Sequence, residues 1–381
     1  MSDQDQKYMQ TALKLARRGI GSVEPNPPVG CIIVKGNQIA GKGWHKKFGG
    51  PHAEINALED CRDLGVNPSG ATMYVTLEPC CHQGQTPPCT DAIIEAGPAR
   101  VYVTTVHPSQ HANGTGIEKL RAARIEVQLG LCEEEARLLN APFIKYASTG
   151  KCWIILKWAQ SIDGKLAWTK TTEDQKWISN ELSRADAHKL RTRSQAILVG
   201  INTVLADDPL LTPRPSRGKK PTRIIIDNNL RIPLDCQLIK TAKKTPVLIL
   251  TTQQAVQQNP KTAEKLSKKG AELLVTPETL SASNLNFLID QISSRGITQL
   301  LVEGGPTVIA SFLKADLADE LCIYIAPKIL ASQGTASITE SMAELNEAFD
   351  LNYTNVTTFD QDIKITGYSR TALEKIGVTK E

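Results

Sequence analysis

The sequence predicts an α/β protein built as two domains, and three observations carry that reading. Helix-period and strand-period patterns alternate through the first half, they halt at Ser148-Thr149-Gly150, and they restart with an apolar strand. A chain of 381 residues is also longer than one hydrophobic core usually spans.

Taken in order, Tyr8–Arg18 places Met9, Ala12, Leu13 and Leu15-Ala16 on one face, the spacing of an amphipathic helix. After the turn Pro25-Asn26-Pro27-Pro28 come strands Val29–Lys35 and Gln38–Gly43, joined by Gly36-Asn37. Helix His52–Leu64, strand Ala71–Leu77, helix Thr90–Ala96 with Gly97-Pro98 as its stop, strand Arg100–Thr105, helix Gly116–Ala123, strand Glu126–Leu129 and helix Glu133–Leu139 follow. The stretch Asn140–Tyr146 closes this unit, whose pattern implies a mixed sheet with helices on both faces. The first domain is expected over 1–147 and the second over 151–370. In the second, strands fall at Cys152–Ala159, Ala196–Val199, Thr222–Ile226, Pro246–Leu250, Glu272–Val275, Gln299–Val302 and Glu320–Ile325. Ser161–Lys165 is a turn, Asn180–Arg193 and Thr307–Leu313 are helices, and the polar tail after Tyr368 is expected to be loosely held.

Composition excludes several classes. The net charge of +4 is mild and mixed in sign, and aromatics are 5%, which argues against a clustered basic face or a stacking path for nucleic acid. No apolar run approaches the ~20 residues of a membrane span. The N-terminal Met1-Ser2-Asp3-Gln4-Asp5 lacks the apolar core of a secretory signal, and nine scattered cysteines suit reduced thiols and metal ligands, so a cytoplasmic protein is expected.

The chemistry concentrates in His52-Ala53-Glu54, Glu78-Pro79-Cys80 and Cys89. One imidazole and two thiolates make a three-ligand zinc site with an open water position, and Glu54 is left free to move protons. The pattern resembles the H-x-E…P-C-x-x-C of zinc nucleobase deaminases, except that eight residues separate the two cysteines where that template has two. The intervening Cys81–Pro88 carries Gly and two prolines and reads as a loop, so Cys89 would open a helix, as His52 would after Pro51. Cys81 and His82 are rival ligands, and a closed structural zinc with His82 as fourth ligand is an alternative. Buried apolar cysteines and a capping histidine would be the bland reading of these residues taken singly.

The second domain's signals are fainter. Val302-Glu303-Gly304-Gly305-Pro306-Thr307 runs from a strand through a glycine pair into a helix, a turn that can present N–H groups to an anion. A G-x-G-x-x-G fingerprint is absent, and the same glycines suit any tight turn. The residues alone support no more than a phosphate or dinucleotide domain.

Across nearly its whole length the chain resembles the bifunctional riboflavin-biosynthesis deaminase/reductases. The resemblance rests on Pro25–Gly30, His45 through Gly49-Gly50-Pro51-His52-Ala53-Glu54, Thr76–Cys80 and Thr86–Cys89. In the second half it rests on Lys157 through Ser161–Lys165, Gly200 through Thr203–Thr212, and Glu303–Pro306. It implies a cytidine-deaminase-like three-layer domain followed by a dihydrofolate-reductase-like domain. The cysteine spacing fits the family and favours Cys89 over Cys81. By similarity zinc sits on His52, Cys80 and Cys89, Glu54 shuttles protons, and Asn26 and His45 contact the substrate. That substrate is 2,5-diamino-6-ribosylamino-4(3H)-pyrimidinone 5′-phosphate. Hydroxide would attack the carbon bearing its 2-amino group, ammonia would depart, and the second domain would reduce the ribosyl part with NADPH.

The resemblance also places NADPH against Ala159, Trp177, Thr203, Asp207, Asn228 and the run Gly305, Pro306, Thr307, Val308, Ile309, Ala310 and Ser311. It places the second substrate against Lys157, Gln175, Arg191, Leu211, Arg214 and Glu303. The guanidinium forks of Arg191 and Arg214 suit a 5′-phosphate, and Trp177 offers a flat wall to a cofactor ring. A homo-oligomer is implied. Two departures are expected to alter affinity without abolishing deamination: Gln85 stands where the family usually has Lys or Arg, and His107-Pro108-Ser109-Gln110 replaces a common Asp-Pro-Asn-Pro. The rival readings are a zinc deaminase of tRNA or nucleoside bases with an accessory domain, and an inactive zinc-stabilised binding module.

Overall fold

The computed structural model describes residues 2–83, 87–109, 113–169, 177–214, 220–277, 282–337 and 348–378. They form two compact units, Met1–Gly150 with Lys375–Glu381, and Lys151–Glu374. Among the described residues no helix is long and apolar enough to cross a membrane.

The first unit runs α1 (Asp3–Ala16), β1 (Gly30–Lys35), β2 (Gln38–Trp44), α2 (Ala53–Asp63), β3 (Thr72–Val75), α3 (Cys89–Ala96), β4 (Arg100–Val103), α4 (Thr115–Ala122), β5 (Glu126–Leu129), α5 (Glu133–Leu139) and α6 (Ala141–Thr149). Its five strands order β2-β1-β3-β4-β5, antiparallel across β2, β1 and β3 and parallel across β3, β4 and β5. The period-2 geometry of a strand sends alternate residues to opposite faces. Cys31, Ile33, Met73, Val75, Val101 and Val103 therefore pack with Ala57, Ile93 and Leu120 of α2, α3 and α4. Ile32, Tyr74 and Tyr102 face the other way, onto Met9 and Leu13 of α1 and Ala136 of α5. Each such fully buried side chain contributes about 1.5–3 kcal/mol, so the three layers follow from the alternation of the strands.

Helix α1 begins earlier than its apolar stripe suggests, because Ser2 and Asp5 form a capping box: Asp5 N–H donates to Ser2 Oγ (3.2 Å) and Ser2 N–H to Asp5 Oδ2 (2.9 Å). Gly116 sits where a Cβ would run into the Pro79 carbonyl, so only glycine lets the start of α4 lie against the Pro79-Cys80 segment. The end of the chain departs from the expectation of a loose tail. Ala372, Leu373, Ile376 and Val378 are buried, and within the first unit Arg137 Nη1 donates to the Ile376 carbonyl (2.9 Å).

The second unit contains β6 (Trp153–Ser161), β7 (Lys165–Trp168), α7 (Glu181–Arg193), β8 (Ala196–Gly200), α8 (Ile201–Asp207), β9 (Thr222–Ile226), α9 (Gln237–Lys240), β10 (Val247–Thr252), α10 (Gln253–Gln258), α11 (Pro260–Lys268), β11 (Ala271–Thr276), α12 (Ala282–Ser293), β12 (Gln299–Val302), α13 (Pro306–Lys314), β13 (Glu320–Ala326), β14 (Gly334–Ser337), β15 (Asn352–Phe359), β16 (Asp362–Tyr368) and α14 (Arg370–Lys375). Nine strands order β11-β10-β9-β8-β12-β6-β13-β16-β15. All pairs from β11 to β13 are parallel, and β16 and β15 add antiparallel edges. Parallel strands buried on both faces read as continuous apolar runs, which is how Ala196–Val199 and Val247–Leu250 appear in the sequence. Helices α12 and α13 cover one face through Leu285, Leu288, Ile292, Ile309 and Phe312.

From β8 the chain passes through α8 to β9 on one side, and from β12 it passes through α13 to β13 on the other. The carboxyl ends of neighbouring β8 and β12 thus form a topological switch point, the place where open α/β sheets take ligands.

Candidate active sites

In the first unit, His52 is the N-cap of α2, Cys89 opens α3, and Cys80 follows β3 on the Pro79 segment. Their ligand atoms, His52 Nδ1 and the two Sγ atoms, all lie within 4.8 Å of one another. His52 Nδ1 is 3.5 Å from Cys80 Sγ and 3.3 Å from Cys89 Sγ, and Cys89 N–H donates to Cys80 Sγ at 3.3 Å. Cys81 and His82 are not in this group. The Cys81 sulfur lies 3.0 Å from Thr115 Oγ1 and 3.4 Å from His82 Nε2. Hydrogen bonds from Cys89 and then His52 hold the Cys80 thiol down to about 4, and the same Cys80–Cys89 contact holds Cys89 up as the donor. Sulfurs already sharing charge in this way are suited to give up their protons to a cation.

Glu54, on the first turn of α2, is only 3% exposed, and burial pushes its carboxyl up to about 7. It lines a cavity of about 340 Å³ together with His52, Cys80, Asn26, His45, Phe48, Leu77, Glu78, His82, His107 and Phe143. Both nitrogens of His45 are engaged. Nδ1 lies 3.1 Å from the Pro51 carbonyl, to which it must donate, so Nε2 accepts from Asn26 Nδ2 at 3.3 Å. His45 thus anchors Asn26 at the cavity wall.

Glu78 is a positioning residue that pattern reading did not assign. It is buried, and its carboxylate accepts backbone N–H groups from His107 (2.8 Å), Gly114 (2.9 Å), Gly116 (2.8 Å) and Ile117 (3.3 Å). It ties the start of α4 and the loop after β4 to the segment that carries Cys80. All four donors lie far along the chain from Glu78, so no local signal marks the role.

In the second unit, Lys157 on β6, Arg191 on α7 and Glu303 after β12 cluster. Arg191 grips Glu303 with Nε at 3.0 and 3.1 Å and Nη2 at 2.6 Å, while Nη1 reaches the Thr212 carbonyl at 3.5 Å. Most of the Arg191 fork is thus taken by a carboxylate, and the sequence expectation of a phosphate fork there narrows to Nη1. Burial lowers the Lys157 pKa, and its Nζ sits 5.5 Å from the Tyr324 ring centre. Arg214 is exposed, and Leu211 is buried with φ of 51°, a left-handed backbone uncommon for leucine. Gln175 lies outside the described residues.

At the switch point, Gly200 and Gly305 are the N-caps of α8 and α13, and neither helix start carries a side-chain cap. Thr203 Oγ1 lies 4.0 Å from where a Gly305 Cβ would be, which places Thr203 beside the second turn. The N–H groups of Val308 and Ile309 bond to the Gly305 carbonyl and Pro306 has none, so among the described residues Gly305 and Thr307 retain unbonded donors at the start of α13. The side chains of Val308, Ile309 and Ala310 are in the core, and Ser311 Oγ is bonded to the Thr307 carbonyl (2.8 Å). Trp177 is 54% exposed with the Arg184 guanidinium 5.0 Å over its ring. Ala159 is half-buried on β6, Asp207 is exposed at the end of α8, and the Asn228 carbonyl accepts from Thr252 Oγ1 (2.9 Å).

Comparison with known proteins accounts for both units. The family described as the cytidine and deoxycytidylate deaminase zinc-binding region matches residues 2–105, and the RibD C-terminal domain matches 152–365. The riboflavin biosynthesis protein RibD of Aquifex aeolicus is 45% identical over 346 residues, 89% of this chain and 93% of that protein. The RibD of Escherichia coli is 41% identical over 339 residues, 88% and 91% of the two chains. Among solved structures, the diaminohydroxyphosphoribosylaminopyrimidine deaminase/5-amino-6-(5-phosphoribosylamino)uracil reductase of Thermotoga maritima superposes with a TM-score of 0.81. It is 34% identical, covering 96% of this chain and 99% of that one. One form of Acinetobacter baumannii RibD gives 0.80 at 34% identity, with the same coverage.

Proposed function

The chain belongs to the RibD family of riboflavin-biosynthesis proteins, and on that premise we propose which residues carry its two activities. It is a bifunctional enzyme with a zinc-type deaminase unit followed by a reductase unit. The observation that carries the first assignment is the convergence of His52 Nδ1, Cys80 Sγ and Cys89 Sγ at the wall of a cavity that His52, Cys80 and buried Glu54 line. One nitrogen and two soft sulfurs suit zinc and leave a coordination position for the reaction. Held there, zinc supplies the Lewis acidity that makes a water acidic near neutral pH. Glu54 would take a proton from the attacking water as its oxygen adds to the carbon bearing the 2-amino group, and would pass that proton to the amino nitrogen. The C–N bond then breaks, ammonia departs, and the carbon keeps the oxygen as a carbonyl with the second proton on the adjacent ring nitrogen. Asn26, held by His45, orients the ring, and the walls at Leu77, Phe48 and Phe143 exclude water.

In the second unit the uncapped start of α13 with Thr203 suits the phosphates of a dinucleotide, and NADPH supplies the hydride that reduces the ribosyl chain. Lys157, Arg191 Nη1 and exposed Arg214 form the positive side that faces the substrate phosphate, with Glu303 fixing Arg191. Homology over both units disfavours a tRNA or nucleoside base as substrate and an inactive binding module. A cytoplasmic homo-oligomer completes the proposal, and light scattering measures its assembly. Incubating the pure protein with 2,5-diamino-6-ribosylamino-4(3H)-pyrimidinone 5′-phosphate tests the first activity: ammonia release is expected, and its absence rejects the assignment. Supplying the deaminated product with NADPH tests the second, with loss of nicotinamide absorbance as the expected result.

A further inference from the structure

We propose that His107 is a specificity-determining residue of the first unit's cavity, donating a hydrogen bond from Nε2–H to an oxygen acceptor of the substrate. The inference deepens the deaminase reading and rests on it. His107 lines the cavity that holds His52, Glu54 and Cys80. A backbone amide can only donate, so the 3.2 Å contact from Ser109 N–H makes His107 Nδ1 the acceptor. A neutral imidazole whose Nδ1 accepts carries its proton on Nε2. Burial also lowers the ring's pKa, in keeping with the neutral form.

The ring has little freedom to present anything else. Its edge meets the Phe143 ring at 80°, with centres 5.4 Å apart, and its own backbone N–H is fixed to Glu78 Oε2 at 2.8 Å. Among the described residues Nε2 has no hydrogen-bond partner. A half-buried donor on a cavity wall that also carries the proton-shuttling carboxylate is a recognition element for whatever enters. Because it donates, it selects an acceptor, and the substrate offers three kinds of oxygen, the pyrimidinone carbonyl, the ribosyl oxygens and the phosphate. A carboxylate at the same place would select the opposite, a donor.

Steady-state deamination by His107→Ala, His107→Gln, His107→Asp and His107→Phe tests this, with the phosphorylated substrate and its phosphate-free nucleoside. We expect His107→Ala to raise KM about tenfold with kcat within about twofold, the size of one hydrogen bond's net contribution. His107→Gln, which keeps an N–H at similar reach, should recover most of that loss, and His107→Asp should be worse than Ala. His107→Phe keeps the packing on Phe143 without a donor and should match Ala, which separates the hydrogen bond from the shape of the wall. A KM rise retained on the nucleoside assigns the acceptor to the pyrimidinone or ribosyl part, and a rise confined to the phosphorylated substrate assigns it to the phosphate. An unchanged KM in His107→Ala, or a Gln variant no better than Ala, overturns the inference. Zinc content and NADPH-linked reduction measured on the same samples report folding. Failure of the unmutated protein to release ammonia would instead remove the deaminase reading itself.

Discussion

In the first unit, side chains from three separate elements turn one nitrogen and two sulfurs onto a single point, whereas in the second the charged side chains turn onto each other. His52, Cys80 and Cys89 converge as a set that could hold one cation together. Arg191 and Glu303 largely satisfy each other, and the starts of α8 and α13 carry no side-chain cap. The contrast teaches that a site's chemistry decides how its residues can be substituted. The first site should fail by losing its metal or its proton carrier, and the second by leaving a buried charge unpaired.

The largest expected effect follows from deleting a ligand. Cys89→Ala should lower ammonia release by about 10³-fold or more, with zinc lost from the protein, because the proposed zinc would supply the Lewis acidity that activates water. NADPH oxidation by the same sample should stay within about twofold, since none of the second unit's candidate residues is among the three grouped ligands. Equal loss of both would break the comparison. Next, Glu54→Gln should keep zinc and lower kcat about 10²-fold or more, the cost of losing an acid/base group. Metal analysis beside kinetics separates it from Cys89→Ala.

Arg191→Ala should act differently, because it strands the Glu303 carboxylate, whose side chain is 7% exposed. The second unit should lose about 3 kcal/mol in denaturant titration, and reduction should fall while ammonia release persists. Glu303→Gln added to that variant should recover part of the stability, and no recovery would show that the pair is not the cause. The smallest effect concerns pH. Asp5 is held down to about 2, below its ordinary 3.8, by hydrogen bonds from Ser2 and Tyr74 that outweigh the opposing effect of burial. Its stabilisation is present above pH ~4 and is lost as pH falls through about 2. Partial exposure limits it to about 1 kcal/mol or less, measurable as the difference from Asp5→Asn in that window.

The same contrast explains what could be read from the residues. Metal ligation requires particular atoms, so His52, Cys80 and Cys89 announce themselves by residue type and by the turn signals around them. Strands β1, β3, β4, β8 and β10 are all legible as unbroken apolar runs, because each is buried on both faces. Strand β15 escaped because no residue in it is buried and Asn352-Tyr353-Thr354-Asn355 carries no apolar period, and β16 because its apolar alternation is confined to Ile363 and Ile365 before Gly367. Residues Ala372, Leu373, Ile376 and Val378 pack through too short a stretch to register as an apolar stripe. The part played by Glu78 and the partners of His107, a position noted only as a departure from the family, were opaque for a third reason. Their roles come from backbone groups and rings brought together by tertiary folding, such as Gly116 N–H and Phe143.

Zinc removal, with both half-reactions followed on one preparation, tests the central claim most directly. The account predicts about one zinc per chain before chelation. Ammonia release should then be lost, NADPH-dependent reduction of the deaminated product should continue, and added zinc should restore deamination. Deamination that survives complete removal of zinc would contradict it, as would the two activities disappearing together.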